Sequence, residues 1–140
     1  MAWQCICEGA TGLVFYSWYD VQRNPDVPFD VQWSGLKRVA AEIDQRSPIL
    51  LSVEPVPAVT VAGASPGWLH WLARAQGGRL YLIAVNDGDG EGKVAFTLPA
   101  TPKAVRELGE NRAIESDGAT LQVLLPRLAV QCYEIEFAAQ

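Results

Sequence analysis

The chain contains one histidine and three cysteines, Cys5, Cys7 and Cys132. A tetrahedral metal centre needs four ligands, and the Cys5-x-Cys7 pair has no second cluster to complete one. No metal or cofactor is expected, and the cysteines read as small apolar core residues. Positive charge is also thin: 11 Lys and Arg stand against 16 Asp and Glu, a net charge of -5. Arg23, Lys37, Arg38, Arg74 and Arg106 are scattered rather than gathered into a stripe, which argues against a nucleic-acid partner. No apolar run approaches the ~20 residues that span a bilayer, so no membrane partner is expected. The first residues, "MAWQCICEG", have neither a basic region nor a long apolar stretch and do not read as a secretory signal. Localisation is not legible from the chain.

What is present is enough apolar residue, 49% of 140, to build a packed core. The pattern changes character near residue 48. Before it, Trp3, Ile6 and Cys7 fall at helical spacing and Gly9 follows as a stop. "LVFYSWY" (13–19) is apolar nearly throughout, as a strand buried on both faces would be. "DVQRNPDVPFD" (20–30) carries two prolines and reads as a loop. "VQWSGLKRVAAEIDQR" (31–46) places Trp33, Leu36, Val39, Ala40 and Ile43 at helical spacing, with Pro48 as its end.

After residue 48 the signals are strand and turn. "LLSVEPV", "VTVAGA", "WLHWLARAQ", "RLYLIAVN" and "KVAFTL" lead a run of seven to nine short strands ending in "LAVQCYEIEF". The Gly77-Gly78 dipeptide marks a hairpin. The fold class expected is mainly β, an antiparallel β-sandwich over 49–140 preceded by an α-β-α fragment over 1–48. An α-β-α fragment cannot form a sheet by itself, because its apolar strand needs a neighbour on each edge.

"EGATGLVFYSWYD", then a loop, then "WSGLKRVAAEIDQRSPILL" resembles the eighth strand and eighth helix of TIM-barrel glycoside hydrolases of the β-galactosidase and agarase-like retaining type. "GGRLYLIAVNDGDGEGKVAFTL" is similar to strands of the C-terminal β-sandwich that follows the barrel in those enzymes. The resemblance covers essentially the whole chain but rests on packing patterns, not on catalytic signatures. Retaining hydrolases use two carboxylates about 5 Å apart. In the families resembled, these close the fourth and seventh strands, so the resemblance places both outside this chain. It implies a non-catalytic, structural or accessory C-terminal region of a carbohydrate-acting protein. Its partner would be the remainder of a barrel or a second copy of the chain, as a homodimer.

Tyr16, Ser17, Trp18, Tyr19 and Asp20 would lie at the C-terminal end of the barrel strand, where such folds place their sites. Trp18 and Tyr16 or Tyr19 could stack on a sugar ring and Asp20 could accept from hydroxyls. The alternative is that these aromatics fill an interface. Trp68 and Trp71 could form a second aromatic platform, as in a carbohydrate-binding module, or belong to the sandwich core. Glu8 and Asp20 do not make a catalytic pair, since an extended path of twelve residues separates them by about 35–40 Å. "DGDGEG" (87–92) resembles the start of a calcium loop, but its twelfth position is Leu98 rather than a bidentate Glu, so it reads as a hairpin turn.

Overall fold

The computed structural model describes residues 1–138. Three helices, α1 (Ala2–Cys7), α2 (Trp18–Arg23) and α3 (Phe29–Leu50), come first. The strands then follow in order: β1 (Thr60–Val61), β2 (Leu69–Gln76), β3 (Arg79–Asn86), β4 (Gly92–Thr97), β5 (Ala104–Glu107), β6 (Arg112–Ala113), β7 (Thr120–Leu125) and β8 (Val130–Glu136). They form two antiparallel sheets, ordered β1-β4-β7 and β2-β3-β8-β5-β6. The antiparallel sandwich expected from the strand run is present.

The β2–β3 hairpin shows how sequence sets register. Gly77 and Gly78 both have positive φ, 59° and 74°, as a two-residue hairpin loop of this twist requires. Gln76 pairs with Arg79 across the turn, and the ladder runs unbroken to Leu69–Asn86. Alternation then divides the side chains. Leu80, Leu82 and Ala84 of β3, Val94 and Phe96 of β4, Leu121, Val123 and Leu125 of β7, and Tyr133 and Ile135 of β8 meet between the sheets.

Strand β3, an interior strand of the five-stranded sheet, is buried on both faces. Its outward residues Ile83 and Val85, with Cys132 of β8, form a second cluster with Trp3. Ile6 and Cys7 of α1 and Ile43 and Leu50 of α3 pack against that cluster. The architecture is therefore three layers: helices, a five-stranded sheet and a three-stranded sheet. Farther along the same outer face, Glu134 accepts from Arg106, Arg79 and the Tyr81 hydroxyl at 2.6, 3.2 and 3.1 Å. Arg106 is the main cause of the lowered pKa of Glu134, with Tyr81 and Arg79 adding to it.

Several expectations for the N-terminal part are corrected. Residues 13–17 are not a strand: they run without ladder partners, and 18–19 open α2. The apolar segment lacks the flanking strands whose hydrogen bonds would define it. Val14 is 92% exposed and Tyr16 93%. The start of the 20–30 loop is helical, because Ser17 caps α2, its Oγ accepting from the Asp20 backbone N–H, and Asp20 suits the positive N-terminal end. Helix α3 does not stop before Pro48 but carries it in its last turn, where one lost hydrogen bond leaves the preceding turns intact. "LLSVEPV" is not a strand: Leu50 ends α3, and the rest contributes only an isolated bridge from Glu54 to Ala75. Pro55 and Pro57 remove two ladder donors there.

The consequence for function is a contrast in burial. The sandwich is closed, while α3, a 22-residue helix, has no buried residue. Trp33, Val31 and the 13–19 segment present large apolar side chains to solvent.

Candidate functional site

The aromatic residues singled out in the sequence separate into two groups. Trp18, on the first turn of α2, meets Phe29 edge-on at 5.0 Å and Trp33 edge-on at 5.1 Å. Phe29 and Trp33 lie one helical turn apart on α3 and stack at 6.2 Å with their planes 12° apart. The three rings form a shelf at the exposed end of the helical layer. Trp18 remains 54% exposed. Tyr19 carries the Arg23 guanidinium 3.9 Å above its ring centre. Asp20 accepts from Ser17 Oγ at 2.8 Å, so one of its carboxylate oxygens is engaged in the helix cap. Tyr16 stands clear of the shelf in solvent.

Phe29 was not singled out by sequence reasoning, and Trp33 entered it only as a helix core residue. The i, i+4 aromatic pair was the available signal. Chemically, such a shelf can present an aromatic face to the C–H face of a sugar ring or to an apolar partner surface.

Trp68 and Trp71 sit on the sandwich instead. Trp71 meets Phe96 edge-on at 5.6 Å, and both tryptophans pack against the core between the sheets. Trp68 lies over the 86–92 turn so closely that a Cβ on Gly92 would fall 2.4 Å from its ring. That glycine is required by the approach of the indole. The turn itself is organised by buried Asn86. Its amide donates to the carbonyls of Gly90, Leu125 and Pro126 at 2.9, 3.0 and 3.1 Å, and its oxygen accepts from Gly88 N–H at 2.8 Å.

The acidic turn does not gather its carboxylates. Asp87 turns toward His70, and Asp89 points to Arg127 at 3.9 Å. Among the described residues no group of three or more His, Cys, Asp or Glu is arranged to hold a metal. Burial is the main cause of the raised pKa of Cys7, pushed up to about 12, and it raises Cys132 as well. Neither thiol has the environment of a nucleophile.

Glu8 and Asp20, excluded as a pair by spacing, serve unrelated contacts. Glu8 approaches His70 Nδ1 at 2.6 Å, and His70 Nε2 approaches Asp87 at 3.0 Å. Sequence spacing could not show this cluster, because its members come from α1, β2 and the β3–β4 turn. A cleft of about 480 Å³ lies between the 9–15 segment, α3 and β2, lined mainly by apolar residues such as Ile6, Leu13, Phe15, Ile43 and Leu72. No protein-family model matches the chain, and no curated protein matches it.

Proposed function

We propose that this chain is a non-catalytic accessory region of a carbohydrate-acting, glycoside-hydrolase-like protein. In this reading its sandwich is a self-contained support, and its helical layer completes a parallel barrel supplied by other sequence. One observation carries the reading. Large apolar side chains of the 13–19 segment, Val14, Phe15, Tyr16, Trp18 and Tyr19, together with Val31 and Trp33 at the start of α3, are left uncovered beside a sandwich whose core is buried. The order of a barrel-like strand sequence, a helix and then an antiparallel sandwich supports it as well. A barrel of ~250 residues would supply parallel neighbours for residues 13–17 and a wall for α3.

A second reading, direct glycan binding, is favoured by the half-exposed Trp18 above Phe29 and Trp33. Sugar rings stack on such faces, and Asp20 lies two residues from the tryptophan.

Two measurements on one native source test both. An antibody against the sandwich is expected to find a native species large enough to include a barrel, and that immunopurified species should hydrolyse chromogenic aryl glycosides. The isolated chain should show no turnover above a buffer blank. A native species no larger than this chain or its dimer would overturn the accessory reading. Retardation of the isolated chain in polysaccharide-containing native gels, lost in Trp18→Ala, would favour the glycan-binding reading instead.

A further inference from the structure

The lone histidine sits where the helical layer meets the sandwich. His70 lies on β2, paired in register with Val85 of β3, on the face of the five-stranded sheet that the helices cover. Its side chain is 15% exposed. Two charged groups face it: Glu8 from the C-terminal end of α1 and Asp87 from the β3–β4 turn. Gln4, one helical turn before Glu8, completes the group. Its amide nitrogen is 3.1 Å from His70 Nε2 and 3.1 Å from Asp87 Oδ2. Asp87 accepts here, so the Gln4 atom facing it is the donating nitrogen.

We propose that Glu8, His70, Asp87 and Gln4 form a proton-operated clasp that holds α1 to the sandwich most firmly when the imidazole carries both of its protons. With both protons in place, Nδ1–H donates to Glu8 and Nε2–H donates directly to Asp87, giving two charge-assisted bonds to two other elements. When the Nε2 proton leaves, Nδ1–H still donates to Glu8. The bare Nε2 then accepts one N–H of Gln4, whose second N–H stays on Asp87. The direct ion pair is thus replaced by a neutral bridge, and no polar atom loses its partner. The wiring accommodates both states, but the Glu8 bond, which joins the end of α1 to β2, is a full ion pair only in the protonated one, so that state ties α1 more tightly.

The geometry fixes the sign of the pH effect. The hydrogen bond that Nδ1–H donates to Glu8 is the main cause that raises His70 above the ordinary imidazole value of 6.5, opposed by burial and reinforced by Asp87. A group with a raised folded-state pKa contributes its full stabilisation below its unfolded value and loses it as pH rises through the folded value. The clasp is therefore tight below pH 6.5 and eases as pH rises through the raised folded-state value. What eases is the cover over Ile83, Val85 and Cys132, because Trp3 of the same helix lies on them.

Because the chain has one histidine, its imidazole resonances can be titrated by NMR without assignment ambiguity. The midpoint in the full chain is expected above 6.5. Glu8→Gln and Asp87→Asn should each lower it, and Glu8 is 65% exposed, so its replacement leaves the core alone. Gln4→Met should raise it, because only the neutral imidazole needs the Gln4 donor; a purely structural Gln4 would leave the midpoint in place. Hydrogen-exchange protection factors of the α1 amides, corrected for intrinsic rate, should fall between pH 6 and pH 9 in the native chain and stay level in His70→Gln. A midpoint at or below 6.5, a midpoint unmoved by both carboxylate replacements, or the same pH dependence of α1 protection in His70→Gln would overturn the clasp.

Discussion

Replacing Asn86 by alanine is expected to cost about 3 kcal/mol and to lower Tm by roughly 10 °C, read by thermal and urea unfolding. The side chain is 1% exposed and makes four hydrogen bonds that join the end of β3, the 86–92 turn and the carbonyls of Leu125 and Pro126. A typical bond of this kind contributes ~1 kcal/mol net, and a buried carbonyl left without a donor costs ~1–3 kcal/mol. Asn86→Asp separates the polar network from simple packing. It keeps shape and the acceptor for Gly88, but it replaces the donating amide with an oxygen facing three carbonyls. Asn86→Asp should therefore be at least as damaging as Asn86→Ala. If the aspartate chain melts with the native one, the amide donors do not hold this end of the sandwich.

Deleting residues 1–49 is expected to leave a β-type circular dichroism spectrum and a cooperative melt, but with a large loss of stability and a gain of self-association. The core between the sheets contains no residue from α1 to α3, so the sandwich keeps its main source of stability. The outer face of β3 and β8 does not. Ile83 and Val85 are 1% and 4% exposed and Cys132 2%, and the helices supply much of that cover. Uncovering the two aliphatic side chains forfeits about 1.5–3 kcal/mol each. A domain of this size has only ~5–15 kcal/mol in total. A disordered spectrum from the chain beginning at Leu50 would mean that sandwich and helices form one indivisible core. A melt equal to the intact chain's would mean that Trp3 and Ile43 contribute nothing to it.

The parts of the fold that rest on local rules were legible in the sequence. Gly77-Gly78 marked a hairpin because two consecutive residues had to adopt positive φ, and the ladder from Gln76–Arg79 follows. The spacing of Trp3, Ile6 and Cys7 gave α1, and Gly9, with φ of 97°, ends it as expected. What failed was composition used in place of pairing. Residues 13–19 have a strand's side chains, but a strand is defined by ladder bonds to neighbours, and none are at hand. Pro48 was read as the end of a helix, while Pro55 was passed over inside the expected strand "LLSVEPV". Pro48 costs a helix only one bond in its last turn, whereas Pro55 with Pro57 denies a strand alternate donors. The candidate site divided in the same way. The Trp18 shelf draws on α2 and α3, which flank a turn, and an i, i+4 pair announced half of it. The His70 cluster joins positions 4, 8, 70 and 87. Only the docking of α1 against β2 brings them together.

The central claim is that the uncovered apolar segment is an interface awaiting a partner, and it is tested most directly by light scattering on the intact chain with and without that segment's apolar character. Val14 and Tyr16 are 92% and 93% exposed, so Val14→Lys with Tyr16→Lys removes no core contact. Without its partner the native chain should use the segment on itself, and a two-fold pair is the commonest closed arrangement. The account expects a dimer or larger species for the native chain. It expects a monomer with unchanged melting for the doubly substituted one. A native chain that stays monomeric and soluble at high concentration, with the amides of 13–16 exchanging freely, would contradict it.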